Sequence, residues 1–464
     1  MLRNNKAPNK LGEAPVIQLL LQYSIPAIIA MTATSLYNII DSIFIGRGVG
    51  ADAIAGLAIT FPLMNLVFAF CFLIAAGGTT LSSIFLGQKD EDKAIETLHN
   101  VTLLSIIHGI VFGTVTSIFL KEILAFFGAT ETTMQYAYDF MKTILLITPI
   151  TFIYFGLINL MRAVGHPKKA MASTLLSVLI NVILAPIFIF VFNWGIKGAA
   201  WATNISQIIS VVWILTHFFN KNHPVRYKRG YKWFDKKLAA KMYGIGLSPF
   251  IINVCSCLVV IIINNLLIKY GGEYGDYNVG AYGIVNRVAM LSIMIMLGIS
   301  QGMQPILGYN FGAAKWDRVK QTLRYSIYIA AAVSVTGWLI CEFMPNTITM
   351  MFTDDNILIE LAERGFYLYF LFWPVVGPQI VVQNFFQSIG MPKISILLST
   401  ARQIIIIIPL LFILSYYFET DGVWISLSGS DLLATSLAVT VLFVEIKKLN
   451  KFFEKRTLTN TLNN

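Results

Sequence analysis

Charge is scarce in this chain. Of its 464 residues only 12% are Asp, Glu, Lys or Arg, whereas a soluble domain carries roughly a quarter, so an ordinary water-exposed globule is excluded. Cysteine is scarce too. Cys71, Cys255, Cys257 and Cys341 all lie in apolar stretches without metal-ligand or redox spacing, which leaves them as small core residues. Of the five histidines, His166 and His223 fall in loops, and His99, His108 and His217 are spread along helical stretches with no acidic residue at ligand spacing. No His-Glu-x-x-His pair, nucleophile elbow or phosphate-cradling glycine loop occurs, so an enzyme is not expected. The N-terminal MLRNNKAPNKLGEAP has no small-residue cleavage site, and the apolar run after it continues as a full span. The formal charge of +10 is scattered over short connections without interleaved aromatics, which argues against nucleic acid.

What the chain has is apolar sequence. At 56% hydrophobic residues and a mean hydropathy of +0.70, it reads as an all-α polytopic membrane protein. A span needs about 20 apolar residues. Cutting at charged and Pro/Gly-rich connections gives twelve candidate transmembrane helices, from roughly 16–45 to 422–445. Lys and Arg concentrate in the N-terminal tail (Arg3, Lys6, Lys10), in alternate connections and in the C-terminal tail (Lys447, Lys448, Lys451, Lys455, Arg456). Positive charge marks the cytoplasmic side. Both termini are therefore expected in the cytoplasm, in a multi-pass protein of the cell membrane, as an even number of spans requires.

An internal repeat organises the helices. LGQKDEDKAIETL (Leu86–Leu98) aligns without gaps on FGAAKWDRVKQTL (Phe311–Leu323), and at the same offset of 225 RAVGHPKK (Arg162–Lys169) falls on QSIGMPKI (Gln387–Ile394). The chain is expected to form two six-helix lobes, 1–222 and 232–464, joined by a basic cytoplasmic linker at 223–231. An even number of spans per lobe gives both the same orientation. Parallel repeats of this kind suit alternating access.

One acid stands out. Asp41 interrupts the first hydrophobic segment near its outer end, and an ionised group at membrane depth is costly enough to be kept for a reason. Either it is an interfacial aspartate in contact with water, or the following SIFIG shields it and it is poised to exchange a proton or hold a small cation. Pro26 in the same segment supplies either a static kink or a bend that moves. Asn181 and Thr203 reach similar depths by residue count, as partners of Asp41 or as plain interhelical hydrogen bonds. Tyr37 and Asn38 lie one turn before Asp41. In the second half, Arg402 and Asp431 sit at depths that allow a structural ion pair or a role in substrate passage. Tyr37, Asn38, Arg287, Met290, Met294, Gln379 and Gln383 are candidates for a substrate cavity, with Met296, Asn264, Asn265, Asn384 and Gln387 as further polar or polarizable residues of the second half. The plain alternative for the methionines is packing.

DSIFIGRGVGADAIAGLAI (Asp41–Ile59), the duplicated loops, LMRAVGHPKKAM (Leu160–Met171), NVILAPIFIF (Asn181–Phe190) and GIKGAAWAT (Gly195–Thr203) together resemble the multidrug and toxic compound extrusion (MATE) transporters over nearly the whole chain. The resemblance implies a V of two lobes around a central cavity. It also implies antiport of amphiphilic, often cationic, compounds against protons or sodium, with no cofactor beyond the coupling ion and a functional monomer as the working unit. Asp41 matches the family's first-helix acid, and Asn181 and Thr203 match polar members of its N-lobe cation site. In one place the chain departs from that pattern. Where related sites have Asn-x-x-x-Asp-Pro, this chain has Ala185 before Pro186, which removes a hard oxygen ligand, weakens the case for sodium at Asp41 and favours the proton. A lipid-linked oligosaccharide or lipid flippase of the same superfamily is the alternative, and it would require a cavity rich in Arg and Lys.

Overall fold

The computed structural model describes residues 7–462, among which there are helices and no strands; Arg3 and Lys6 lie outside them. The spanning helices are α1 (Val16–Gly48), α2 (Ala51–Gly87), α3 (Glu91–Ile118), α4 (Glu131–Leu145 and Thr148–Ala163), α5 (Pro167–Pro186), α6 (Gly195–Phe219), α7 (Lys236–Gly271), α8 (Gly275–Gly312), α9 (Trp316–Phe343), α10 (Asn356–Phe370 and Trp373–Ser388), α11 (392–418) and α12 (420–462). Two continuous stretches, Lys236–Gly312 and Pro392–Lys455, hold 77 and 64 residues. At about 1.5 Å per residue each far exceeds one membrane thickness. The first divides at the short turn Gly272–Tyr274, and the second at Glu419, whose φ of 51° breaks the helix. With α4 and α10 each counted as one bent span, the described residues give twelve.

The repeat is visible in the backbone itself. α3 and α9 have the same length, 28 residues, and start 225 residues apart. The bends in α4 and α10, 60° and 48°, fall at the same offset. So do the left-handed residues that end the preceding helices, Lys89 with Ala314 (φ 63° and 56°) and Gly165 with Gly390 (φ 98° and 74°). Local chemistry supports the elements. Asp90 caps α3 by accepting from the Lys93 amide at 3.0 Å, and Asp355 caps α10 by accepting from Ile357 and Leu358. Inside α2, Thr79 and Ser83 donate to the carbonyls of Ala75 and Thr79, at 2.7 and 2.9 Å, which lets hydroxyls sit in an apolar helix without an unpaired donor.

The backbone clusters into two compact units. One holds residues up to Leu11 and Ile25–Asn253, and the other holds Gly12–Ser24 and Val254–Asn464. This division differs from one drawn at the basic loop. α1 passes from the second unit to the first between Ser24 and Ile25, just before Pro26, and α7 passes from the first to the second between Asn253 and Val254, just after Pro249. The first stretch of each helix thus belongs to the other half. Both crossings depend on a glycine of the repeat: a Cβ on Gly77 of α2 would overlap the Met242 backbone of α7, and one on Gly302 of α8 would overlap the Ser24 backbone of α1. Only glycine allows main chains to approach so closely. The linker itself is bound to the first unit. The hydroxyls of Tyr227 and Thr102 lie 2.7 Å apart, Tyr231 donates to Asp92 at 2.6 Å, and the Asp235 amide donates to Asn100 at 3.0 Å.

Candidate functional site

The site in the first unit is built from one turn of each of three helices. Ile45 of α1, Ala185 of α5 and Ala199 of α6 belong to one fully buried apolar cluster. Asp41 and Asn181 lie four residues before Ile45 and Ala185, and Thr203 lies four after Ala199. Because residues four apart share a helix face, all three polar side chains form the layer next to that cluster. Their burial agrees, at 8%, 3% and 7% exposure. Asn181 Nδ2 donates to Thr203 Oγ1 at 3.0 Å, and Thr203 donates on to the Ala199 carbonyl at 3.2 Å. Asp41 Oδ1 is buried and has no hydrogen-bond partner.

An unpartnered buried carboxylate oxygen is costly and uncommon. At 8% exposure Asp41 is shielded by the fold, as the reading of a poised acid expects. Tyr37 lies within electrostatic reach of Asp41 and of Tyr154 on α4 and is partly buried, while Asn38 faces outward. Ala185, 0% exposed among Phe188, Ile189 and Ile45, offers no oxygen to the layer. Beyond it the helix widens: the Phe192 amide bonds to the Ile187 carbonyl, a π turn that follows Pro186 because proline has no donor to continue the regular ladder. Phe190 from this turn meets Phe44 of α1 edge-on, with centroids 6.3 Å apart.

In the second unit, Arg402 stands on a π turn of α11 (Ala401–Ile406) and its Nη2 lies 2.7 Å from Asp431 Oδ1 of α12. Asp431 is 4% exposed. Tyr369 lies within electrostatic reach of both. The candidate cavity residues differ in exposure. Arg287 and Met290 of α8 are exposed, Met294 is partly buried, and Gln379 and Gln383 of α10 are buried. Gln379 Oε1 and Asn264 Oδ1 of α7 are buried without partners. Pro26 lies within α1 without ending it.

Two features were missed in the sequence. Arg162 at the end of α4 reaches Asn159 Oδ1 at 2.8 Å and lies within electrostatic reach of Tyr154; the eight-residue spacing from Tyr154 was the available signal. His166, His217 and His223, read above as dispersed, converge in the first unit with ligand-capable atoms all within 4.8 Å of one another. Gaps of 51 and 6 residues match no motif, so only the fold brings them together.

A model of the MatE family matches residues 26–187 and 249–413, well over half of the chain. The chain belongs to the MatE family. Among curated relatives of this MATE protein, the Multidrug export protein MepA of Staphylococcus haemolyticus (strain JCSC1435) is 27% identical over 431 residues, covering 93% of this chain and 94% of that one. MepA of Staphylococcus aureus (strain N315) is 26% identical over 436 residues, with the same coverage. The crystal structure of a MATE in the bent conformation superposes with a TM-score of 0.90 at 21% identity, over 97% of this chain and 99% of that chain, which establishes the shared fold. Fold and family together make this a multi-pass membrane transporter with the twelve-helix MATE architecture.

Proposed function

We propose that this MATE transporter exports amphiphilic, often cationic, small molecules from the cell by alternating access, driven by entry of protons or sodium ions, and that Asp41 is the coupling group. The observation that carries this reading is the buried Asp41 carboxylate with one oxygen unpartnered, one turn from the apolar cluster that Asn181 and Thr203 also border on their own helices. The names of the MepA relatives support the substrate class. With Asp41 charged, the layer holds an anion that nothing neutralises, and taking up a cation from outside removes that cost. The ion biases the cycle only by binding the two states unequally, so the release of substrate and the neutralisation of Asp41 are linked through the shape of α1. Pro26, which removes one rung of the α1 ladder, marks where that helix bends most readily.

A proton is favoured over sodium. A sodium ion needs several oxygen ligands, and at Ala185 the layer has a methyl group where a carboxylate would complete them. A proton needs only one titrating acid. A flippase for pyrophosphate-linked lipids would require free cations in the membrane region, whereas Arg402 is already held by Asp431. The protein is read as working as a monomer, with both termini in the cytoplasm.

The test is efflux of a fluorescent cation from proteoliposomes under a proton gradient alone and then a sodium gradient alone. Efflux driven by protons and lost in Asp41→Asn is expected. Gradient-driven efflux that survives Asp41→Asn would overturn the coupling role, and efflux driven by sodium alone would overturn the choice of ion.

A further inference from the structure

We propose that His166, His217 and His223 form a binding site for a divalent transition-metal cation of the zinc class, which fastens the linker between the two halves of the repeat to the first unit. His166 sits in the turn between α4 and α5, His217 in the last turn of α6, and His223 in the connection that leads to α7. The ring centroids of His217 and His223 lie 4.0 Å apart, those of His166 and His217 4.5 Å, and those of His166 and His223 4.9 Å. Around a tetrahedral zinc with Zn–N near 2.0–2.1 Å, nitrogens stand about 3.3 Å apart. The present separations, up to 4.8 Å between ligand-capable atoms, close to that value by small rotations of the rings.

The unsatisfied atoms point the same way. His166 Nδ1 and His217 Nε2 are both buried without a hydrogen-bond partner, and His217 is only 6% exposed. Two such nitrogens in contacting rings leave a polar pocket that the protein alone does not satisfy. Neutral imidazole is the form that binds metal. Burial, reinforced by His223 and Lys169, pushes His166 down to about 4. The same two kinds of cause lower His223. Lys169 opposes the cation, with Nζ 3.4 Å from His217 Nδ1, but it is exposed and free to swing into water. Three imidazoles with a fourth position for water suit zinc, nickel or copper far better than calcium or magnesium.

The experiment uses the full chain in detergent, purified through a tag without histidine, stripped with chelator and titrated with zinc chloride while bound metal is counted. One zinc per chain is expected, with affinity falling about a hundredfold in His217→Gln with His223→Gln and unchanged in His99→Gln with His108→Gln. No saturable uptake, or uptake indifferent to the first pair, overturns the site. If the variants do not fold, X-ray absorption on the parent decides: a first shell of three imidazole nitrogens supports the proposal, and a shell without imidazole overturns it. Hydrogen exchange of residues 220–235 should slow when zinc is added. Zinc that binds without slowing it overturns the fastening role.

Discussion

α1 and α7 are the same helix of two copies, and they differ at one atom that matters. Pro26 and Pro249 lie 223 residues apart, and at that spacing Asp41 of α1 falls on Asn264 of α7. Both side chains bury a δ-oxygen without a hydrogen-bond partner. The polar position is thus duplicated, but only the first copy carries a group that changes charge. The second unit holds its own buried acid, Asp431, in a contact with Arg402 at 2.7 Å. An acid held by a guanidinium already has its charge balanced. An acid left unpartnered is available to an ion.

Asp41→Asn turns the first helix into a copy of the second at this position, and it carries the largest expected effect. Coupled efflux should fall to the liposome background, while thermal stability in detergent holds or rises, because an uncompensated buried charge is removed. A loss of stability as large as the loss of transport would mean that Asp41 is structural and erase the contrast with Asn264.

Arg402→Met tests the other side of the comparison. Leaving Asp431 buried without its partner should cost about 3–5 kcal/mol in unfolding measurements, and adding Asp431→Leu should recover most of it. If the single change costs nothing, the pair is not structural, and the second unit becomes a rival location for coupling. Gly302→Ala should cost about 1–3 kcal/mol by driving a methyl into the Ser24 backbone. Gly77→Ala, where the equivalent glycine of α2 approaches the Met242 backbone of α7, should cost a similar amount.

The repeat and two side-chain pairs were legible for physical reasons. Loop turns at Lys89 and Ala314, and at Gly165 and Gly390, need the same backbone geometry, so the sequence keeps a common offset through them. Counting residues from the helix ends placed Asn181 and Thr203 at one depth, and the structure joins them by a hydrogen bond. It did the same for Arg402 and Asp431. The exchange of the first stretches of α1 and α7 was not legible. Charge marks where a chain leaves the membrane and says nothing about which neighbours a helix meets inside it. Gln379 and Gln383 show the same limit, because an amide looks alike in sequence whether it is wet or buried in a unit's interior. The three histidines were hidden for a further reason: each looks ordinary until the turn after α4 and the end of α6 are folded together.

The smallest effect tests how far the Asp41 layer depends on its neighbours. Thr203→Val keeps the shape of the side chain, removes the acceptor for Asn181 Nδ2 and the donor to the Ala199 carbonyl, and should cost about 1–3 kcal/mol because a buried amide donor is left unpaired. Asn181→Leu removes the other partner, and the double variant should cost less than the two singles combined, since both break one contact. Transport separates two roles for this pair. If the bond only joins α5 to α6, proton-driven efflux should persist in Thr203→Val once the protein is folded. If it shapes the site around Asp41, the pH at which efflux is half-maximal should move while the yield of folded protein stays the same. The second outcome is the one expected here: the amide sits in the layer of an acid with one oxygen unpartnered, so a change in its hydrogen bonding alters what that acid's charge encounters, whereas Asn264, at the matching place in α7, has no charge to respond in that way.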